Sequence, residues 1–332
     1  MRKKLLTFSG LIAVAAIAAM IVSAQPPQGD GKVKGDGKGK AADGKGKGDG
    51  KGKGPAGPQP LTVSTVKPGL MLITGDGGNT SIRVTKEGLI VTDTKNRGDA
   101  DYDQLVAKIK EISPMQVKYV VITHHHQDHS GNGGNFGNAG AKVVAHANLV
   151  KNLETYAPAQ GKPGTPNTPY QKDYKIKLGE GRVEVHHYMP AHTSGDSIVY
   201  FPDLKVVQCG DVVVGTAPNI DFPFGGSGVQ WLKTLDAIAK LNFDTLIPGH
   251  SAPNTTTMTR AQFMEYKTKW ETLISRAVES VKKGTSKEML LASIKTDDIG
   301  WNVNNAQWGA ANRLDPFYAE LKVEADKPAK KK

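Results

Sequence analysis

The chain has 332 residues, 38% of them hydrophobic and 23% charged, with 38 Gly, 19 Pro, a single Cys and a formal net charge of +11. That length and apolar fraction exclude a wholly disordered protein, and one cysteine excludes a disulfide scaffold. Arg2, Lys3 and Lys4 carry three of the positive charges, residues 25–54 a net four and residues 323–332 a net two, so residues 55–322 are close to neutral and no nucleic-acid partner is expected.

At the start of the chain, the basic residues Arg2 to Lys4, an apolar run over 5–22 and then Val22-Ser23-Ala24 read as a signal peptide over 1–24. The expected location is periplasmic or secreted. An uncleaved anchor is the competing reading, and Ser9, Gly10 and the many alanines weigh against it by lowering the hydrophobicity. No cysteine lies near the cleavage site to accept a lipid. Residues 25–58 read as a disordered Gly/Lys-rich linker, in which Gly35-Asp36-Gly37-Lys38-Gly39-Lys40 recurs as Gly48-Asp49-Gly50-Lys51-Gly52-Lys53. Its lysines suit electrostatic tethering to anionic envelope components, and a solvated spacer explains them equally well.

From about Leu61 short Val- and Ile-rich runs alternate with Gly, Asp and Asn, which predicts strands and turns. Strands are expected over 70–74, 81–85, 89–92, 117–123, 142–145, 174–178, 183–188, 197–201, 206–210 and 245–247. Apolar residues at helical spacing predict helices over 99–112, 147–156, 229–241 and 259–283. Consecutive strands with helices between them fit two sheets with helices outside. The folded domain is expected over 59–322, followed by a disordered Lys-rich tail over 323–332.

The densest chemical signal is Thr123-His124-His125-His126-Gln127-Asp128-His129, directly after an expected buried strand. Imidazole and carboxylate are ligands that zinc accepts. If the strand runs to His124, the two-residue period turns His124 and His126 to the same side. Further candidates stand at other strand ends: His192 in Pro190-Ala191-His192, Asp211 in Cys209-Gly210-Asp211 and His250 in Pro248-Gly249-His250. His125 and Gln127 alternate with these and are expected to point away. His186 and His187 lie on an alternating strand, one facing the core. Cys209 is expected to be a buried reduced thiol, and Trp231 and Trp301 to serve packing, with Trp301 alternatively lining the cleft.

From Leu61 to His250 the sequence resembles the metallo-β-lactamase-fold hydrolases, whose His-x-His-x-Asp-His motif is followed by a His, a bridging Asp and a last His. The resemblance implies an α/β fold, the αββα sandwich, with two mixed β-sheets and helices on the outer faces. It further implies two Zn2+ per chain. His124, His126 and His192 match the ligands of the first metal, Asp128, His129 and His250 those of the second, and Asp211 the bridging carboxylate. Asp93 is implied to orient the site, since a ligating imidazole needs its other nitrogen hydrogen-bonded. Asp196 is read as holding a loop.

The expected function is that of an exported di-zinc metallo-hydrolase acting on a small-molecule ester, thioester or amide/lactam bond through a metal-bridging hydroxide. Asp128 would orient the nucleophile and pass on its proton. Alternatives are a class B-like β-lactamase and a non-catalytic, zinc-stabilised envelope-binding protein. The better-known lactamases carry Cys at the position of Asp211 and a basic residue soon after it, where this chain has Val212-Val213-Val214. His126 stands where di-iron redox relatives have Glu. The chain shows no clear basic cluster of the kind a glyoxalase-II-like thioesterase uses for its peptide thiol.

Overall fold

Apolar runs buried on both sides form strands here, and the two-residue period of extended chain deals each run between two layers. In the computed structural model residues 58–253 and 255–328 are described. The expected signal peptide, all but the last residue of the expected linker, and 329–332 of the expected tail lie outside the described residues. The chain divides into Met1–Gly54 and Pro55–Lys332, and every described element belongs to the second unit.

The first sheet has, in spatial order, β1 (Thr62–Lys67), β2 (Leu70–Thr74), β3 (Thr80–Thr85), β4 (Gly88–Thr92), β5 (Val117–Val121), β6 (Lys142–His146) and β7 (Thr168–Tyr170). β1 to β4 form an antiparallel meander, and β4 to β7 run parallel. The second sheet has β8 (Asp173–Leu178), β9 (Gly181–His186), β10 (Ile198–Phe201), β11 (Val206–Gln208), β12 (Thr245–Ile247) and β13 (Met258–Thr259), again in spatial order. Its pairs are antiparallel except β11 with β12. The helices are α1 (Asp99–Ile112), α2 (Gln127–Ser130), α3 (Gly133–Asn138), α4 (Ala147–Thr155), α5 (Gly228–Ala239), α6 (Arg260–Lys282), α7 (Lys287–Ser293), α8 (Ala306–Gly309) and α9 (Ala311–Ala325).

Alternation along the strands builds the layers. Leu70, Leu72, Ile90, Val121 and Val144 face inward and meet Val183, Val185, Val199, Phe201 and Ile247 of the other sheet. Their neighbours Ile73, Val91, Val120 and Val143 face outward, onto Leu105 and Ile109 of α1, Phe136 of α3 and Leu149 of α4. On the far side Ile198, Tyr200, Val207 and Leu246 meet Trp231 of α5, Phe263 and Trp270 of α6 and Phe317 of α9. The result is helix, sheet, sheet, helix: an αββα sandwich with two mixed sheets.

α6 begins in a capping box in which Thr259 and Gln262 satisfy each other's backbone N–H. It buries Phe263, Tyr266, Trp270, Leu273 and Ile274 on one face. At about 1.5–3 kcal/mol for each such side chain, this face alone rivals the roughly 5–15 kcal/mol net stability of a domain. The C-terminal helices are therefore part of the sandwich. No helix among the described residues is long and apolar enough to cross a membrane.

The strand expected over 183–188 ends at His186, and two strands that lead to the rim also end earlier than expected. The run over 117–123 leaves the sheet after Val121, and the run over 206–210 leaves it after Gln208 and tightens into a 3-10 turn, Gly210–Val212. Both departures occur where the chain delivers polar side chains to the rim. α9 continues to Ala325, beyond the expected boundary at 322, because Phe317 and Leu321 are buried against the helical layer.

Candidate metal centre

β4, β5, β11 and β12 present their C-terminal ends at one rim of the sandwich, and the loop before β10 joins them there. His124 and His126 lie on a bend after β5, so the bend brings them together and the expected strand alternation does not. His124 Nε2 is 3.1 Å from His126 Nδ1, and His192 Nε2 is 3.0 Å from that same Nδ1. Asp211, in the turn after β11, directs Oδ2 at this group, 4.0 Å from His124 Nε2 and 3.7 Å from His192 Nε2. Its Oδ1 faces a second group, 3.2 Å from His129 Nε2 and 3.4 Å from His250 Nε2. Asp128 Oδ2 completes that group at 3.1 Å from His250 and 3.6 Å from His129. The seven residues named from the sequence thus stand as two clusters that could each hold a metal ion, with Asp211 between them.

The outward nitrogens are tied down. His129 Nδ1 donates to Asp93 Oδ2 at 2.9 Å, and Asp93 also accepts from Thr123 N and Thr123 Oγ1, each at 2.8 Å. Asp93 is fully buried in the left-handed region with φ 61°, a backbone strain that its three bonds hold in place. His124 Nδ1 lies 3.2 Å from Thr123 Oγ1, His192 Nδ1 donates to Asn219 O at 2.7 Å, and His126 Nε2 donates to Asp221 Oδ2 at 2.7 Å. Sequence reading gave Asp221 no role. The need of each ligating imidazole for a partner implies one more acceptor, but no spacing rule locates it. Gly78 closes over the second group: a Cβ there would stand 2.2 Å from His129 Cε1, so this position admits only glycine.

Asp196 stays outside both clusters. Its carboxylate accepts from Thr193 N at 2.9 Å and Thr193 Oγ1 at 2.6 Å, holding the loop that follows His192, and burial pushes its pKa up to about 7. His125 is buried against Tyr156 and Phe224 outside the two clusters, but its Nε2 lies 3.8 Å from Asp221 Oδ2 and with His126 and Asp221 it makes a third group of metal-ligating type. His186 pairs with Asp173 and His187 stacks on His146, so neither reaches the site. Cys209 is a free, buried thiol in the outer core, its pKa raised by burial. Trp301 packs on Trp270 and Tyr266, whereas the Trp231 indole and the Tyr266 hydroxyl both donate to Val212 O and so brace the turn that carries Asp211.

These donors fit a metal. Burial lowers the pKa of His124 well below its usual value and that of His192 to about 4, so both rings are neutral near pH 7. A neutral imidazole that donates from one nitrogen presents a bare lone pair at the other. His192, neutral and donating from Nδ1 to Asn219 O, therefore turns a bare Nε2 lone pair toward His126 Nδ1 across 3.0 Å, an arrangement that a cation between them satisfies. Asp211 Oδ1 is buried without a hydrogen-bond partner. Neutral imidazoles with carboxylates at four-ligand spacing are a zinc donor set.

The second cluster behaves differently without metal. Burial lowers His250, but the carboxylates of Asp128 and Asp211 beside it outweigh this and raise its pKa to about 9. A histidine raised in the folded state stabilises below its unfolded value of about 6.5, and that stability is lost as pH rises through the folded value. Chelator-treated protein is expected to lose Tm between about pH 6.5 and 9, and His250→Gln to lose less over that window. Parallel melting curves of the two proteins across pH check this; identical slopes would contradict it.

An αββα sandwich carrying two His/Asp clusters joined by one carboxylate at a sheet rim defines a candidate metal-dependent protein. The family model of the metallo-beta-lactamase superfamily matches residues 73–250, more than half of the sequence, and the chain belongs to that superfamily. It is 29% identical over 180 residues to metallo-beta-lactamase IND-1 of Chryseobacterium indologenes, covering 52% of this chain and 71% of that one. It is 24% identical over 213 residues to a linear primary-alkylsulfatase of Pseudomonas sp., covering 50% of this chain and only 40% of the relative. Among solved structures, the sec-alkylsulfatase Pisa1 from Pseudomonas sp. shares the fold with a TM-score of 0.61 at 17% identity, over 81% of this chain and 52% of that one.

Proposed function

We propose that the protein is an exported hydrolase holding two zinc ions per chain and cleaving an ester, thioester or amide/lactam bond of a small molecule. The observation that carries this reading is the convergence of His124 Nε2 and His192 Nε2 on His126 Nδ1, at 3.1 and 3.0 Å, with the two Asp211 oxygens divided between this group and the second. Bound zinc supplies a water whose pKa drops from 15.7 to about 7, and a Lewis acid for the substrate oxygen. His124, His126, His192 and Asp211 would hold one ion, and Asp128, His129, His250 and Asp211 the other. Asp93, Asp221, Thr123 and the Asn219 carbonyl fix the ring tautomers so that lone pairs point inward. Side chains of His126, Asp128 and His250 are the most exposed of the set, at 21%, 30% and 38%, so substrate approaches over them. Asp128 orients the attacking water and carries its proton out to solvent.

The signal-like residues 1–24 support a periplasmic or secreted location, and the cationic residues 25–58 support tethering to anionic envelope polymers. A β-lactamase is the second reading, favoured by the similarity to IND-1. Against it stands the turn after Asp211, where Val212, Val213 and Val214 are buried and offer no cation to a drug carboxylate. The alkylsulfatase relative adds sulfate esters to the substrates worth testing. A non-catalytic zinc-stabilised binding protein would need closed four-ligand sites. Metal-loaded protein assayed against a chromogenic lactam, thioesters, carboxylic esters and alkyl sulfates separates these readings. Turnover of one class assigns the substrate, and no turnover of any class by folded, metal-loaded protein overturns the hydrolase reading.

A further inference from the structure

The superfamily match ends at His250, yet α9 lies more than fifty residues later in the chain and reaches back to the metal centre. Arg313, near the start of α9, donates from Nη1 to the Asn219 side-chain oxygen and, at 3.3 Å, to Ile220 O. The Asn219 carbonyl is the acceptor for His192 Nδ1, and the Asp221 carboxylate is the acceptor for His126 Nε2. Asp221 N donates in turn to His192 O at 2.9 Å, so the segment 219–221 grips two histidines through Asn219 and Asp221. Two turns further along α9, Glu320 accepts from Ser227 Oγ at 2.6 Å and Gly228 N at 2.9 Å, closing the other end of the same loop. Phe317 of α9 packs against Phe222 between these ties.

We infer that Arg313 is a positioning residue for one of the two metal groups, acting through Asn219 and Asp221 on His192 and His126. The inference rests on the metal-centre reading above. Residues 219–221 follow a stretch without regular secondary structure after the Asp211 turn, so their placement depends on side-chain ties and not on a strand or helix ladder. Asp93 serves the second group by a separate route, and among the described residues no hydrogen bond joins α9 to Asp93, Asp128, His129 or His250. Arg313 therefore acts selectively. A guanidinium suits the task because the two N–H bonds of Nη1 are fixed in its plane, one for the side-chain oxygen and one for the backbone carbonyl, whereas an ammonium rotates freely.

The test has two readouts. In metal-free protein with 15N-labelled histidine, the His192 Nδ1–H is protected by its bond to Asn219. Arg313→Ala is expected to speed its exchange with solvent by about tenfold or more and to leave the His129 Nδ1–H, held by Asp93, unchanged. In a titration with Co(II), Arg313→Ala is expected to weaken one of two binding events by about 10- to 100-fold and spare the other. Asn219→Ala keeps the carbonyl that His192 needs but removes the nearer of Arg313's two acceptors. It should reproduce both effects, with the double variant no worse than either single one, and Arg313→Lys should recover part of the loss. Wild-type exchange in Arg313→Ala, or equal weakening of both binding events, would overturn the inference. The exchange arm needs no metal: a wild-type protein that takes up no ions refutes the metal reading, while exchange still decides the role of Arg313.

Discussion

Asp211→Ala is expected to abolish turnover, by at least about 10³-fold, and to leave a folded protein holding at most one ion. Asp211 is the one side chain that faces both clusters, with Oδ2 toward His124 and His192 and Oδ1 toward His129 and His250. Removing it takes a negative charge from between six other ligands, so two dications would repel each other with no anion between them. In metal-free wild-type protein His129 and His250 hold the Asp211 carboxylate well below its usual range despite burial, so its charge stabilises the fold at neutral pH. The variant leaves those histidines without this partner and is thus expected to lose stability in chelator as well as activity in zinc. Kinetics with the substrate found in the panel and paired melts with and without chelator read both losses. A variant that retains wild-type turnover would remove Asp211 from the centre.

Asp93→Asn is expected to cost at least about 10²-fold in activity and to weaken the ion held by Asp128, His129 and His250 by about 10- to 100-fold. The substitution is nearly isosteric, so packing is not the cause. Asp93 Oδ2 accepts from both His129 Nδ1 and Thr123 Oγ1, and an amide nitrogen in its place presents hydrogens to donors. His129 is then driven to carry its proton on Nε2, where it points at Asp211 and blocks metal. If Asn instead turns its oxygen to His129, the buried Thr123 N–H loses its acceptor, at about 1–3 kcal/mol. Two-step metal titration and 15N histidine tautomer shifts check the account. Wild-type affinity for both ions with an unchanged His129 tautomer would show that Asp93 only builds the turn.

Much of this centre was legible because metal ligands must be particular residue types and because strands deliver them at regular places. Nine histidines, four within six positions after an apolar run, stand out against a chain of this size. The layers were legible for a similar reason: runs such as 70–73 and 198–201 are apolar throughout, which only a doubly covered sheet requires. The geometry that brings His124 and His126 together was not. Strand alternation predicted their convergence, but a bend after Val121 produces it, and a bend leaves no period to read. Asp221, Asn219 and Arg313 escaped for another reason. They act by accepting or donating single hydrogen bonds across the fold, and such ties depend on which loops the tertiary structure makes neighbours. The edge strand β1, with its Thr, Ser and Lys, and β7, with its proline, were missed because edges need no apolar face.

The central claim is that seven side chains hold two ions in one site. Metal content of protein purified without chelator, measured by elemental analysis alongside native mass, tests it most directly. The account predicts two zinc ions per chain, falling to one or none in Asp211→Ala. One ion or none in the wild-type protein, or iron in place of zinc, would contradict it.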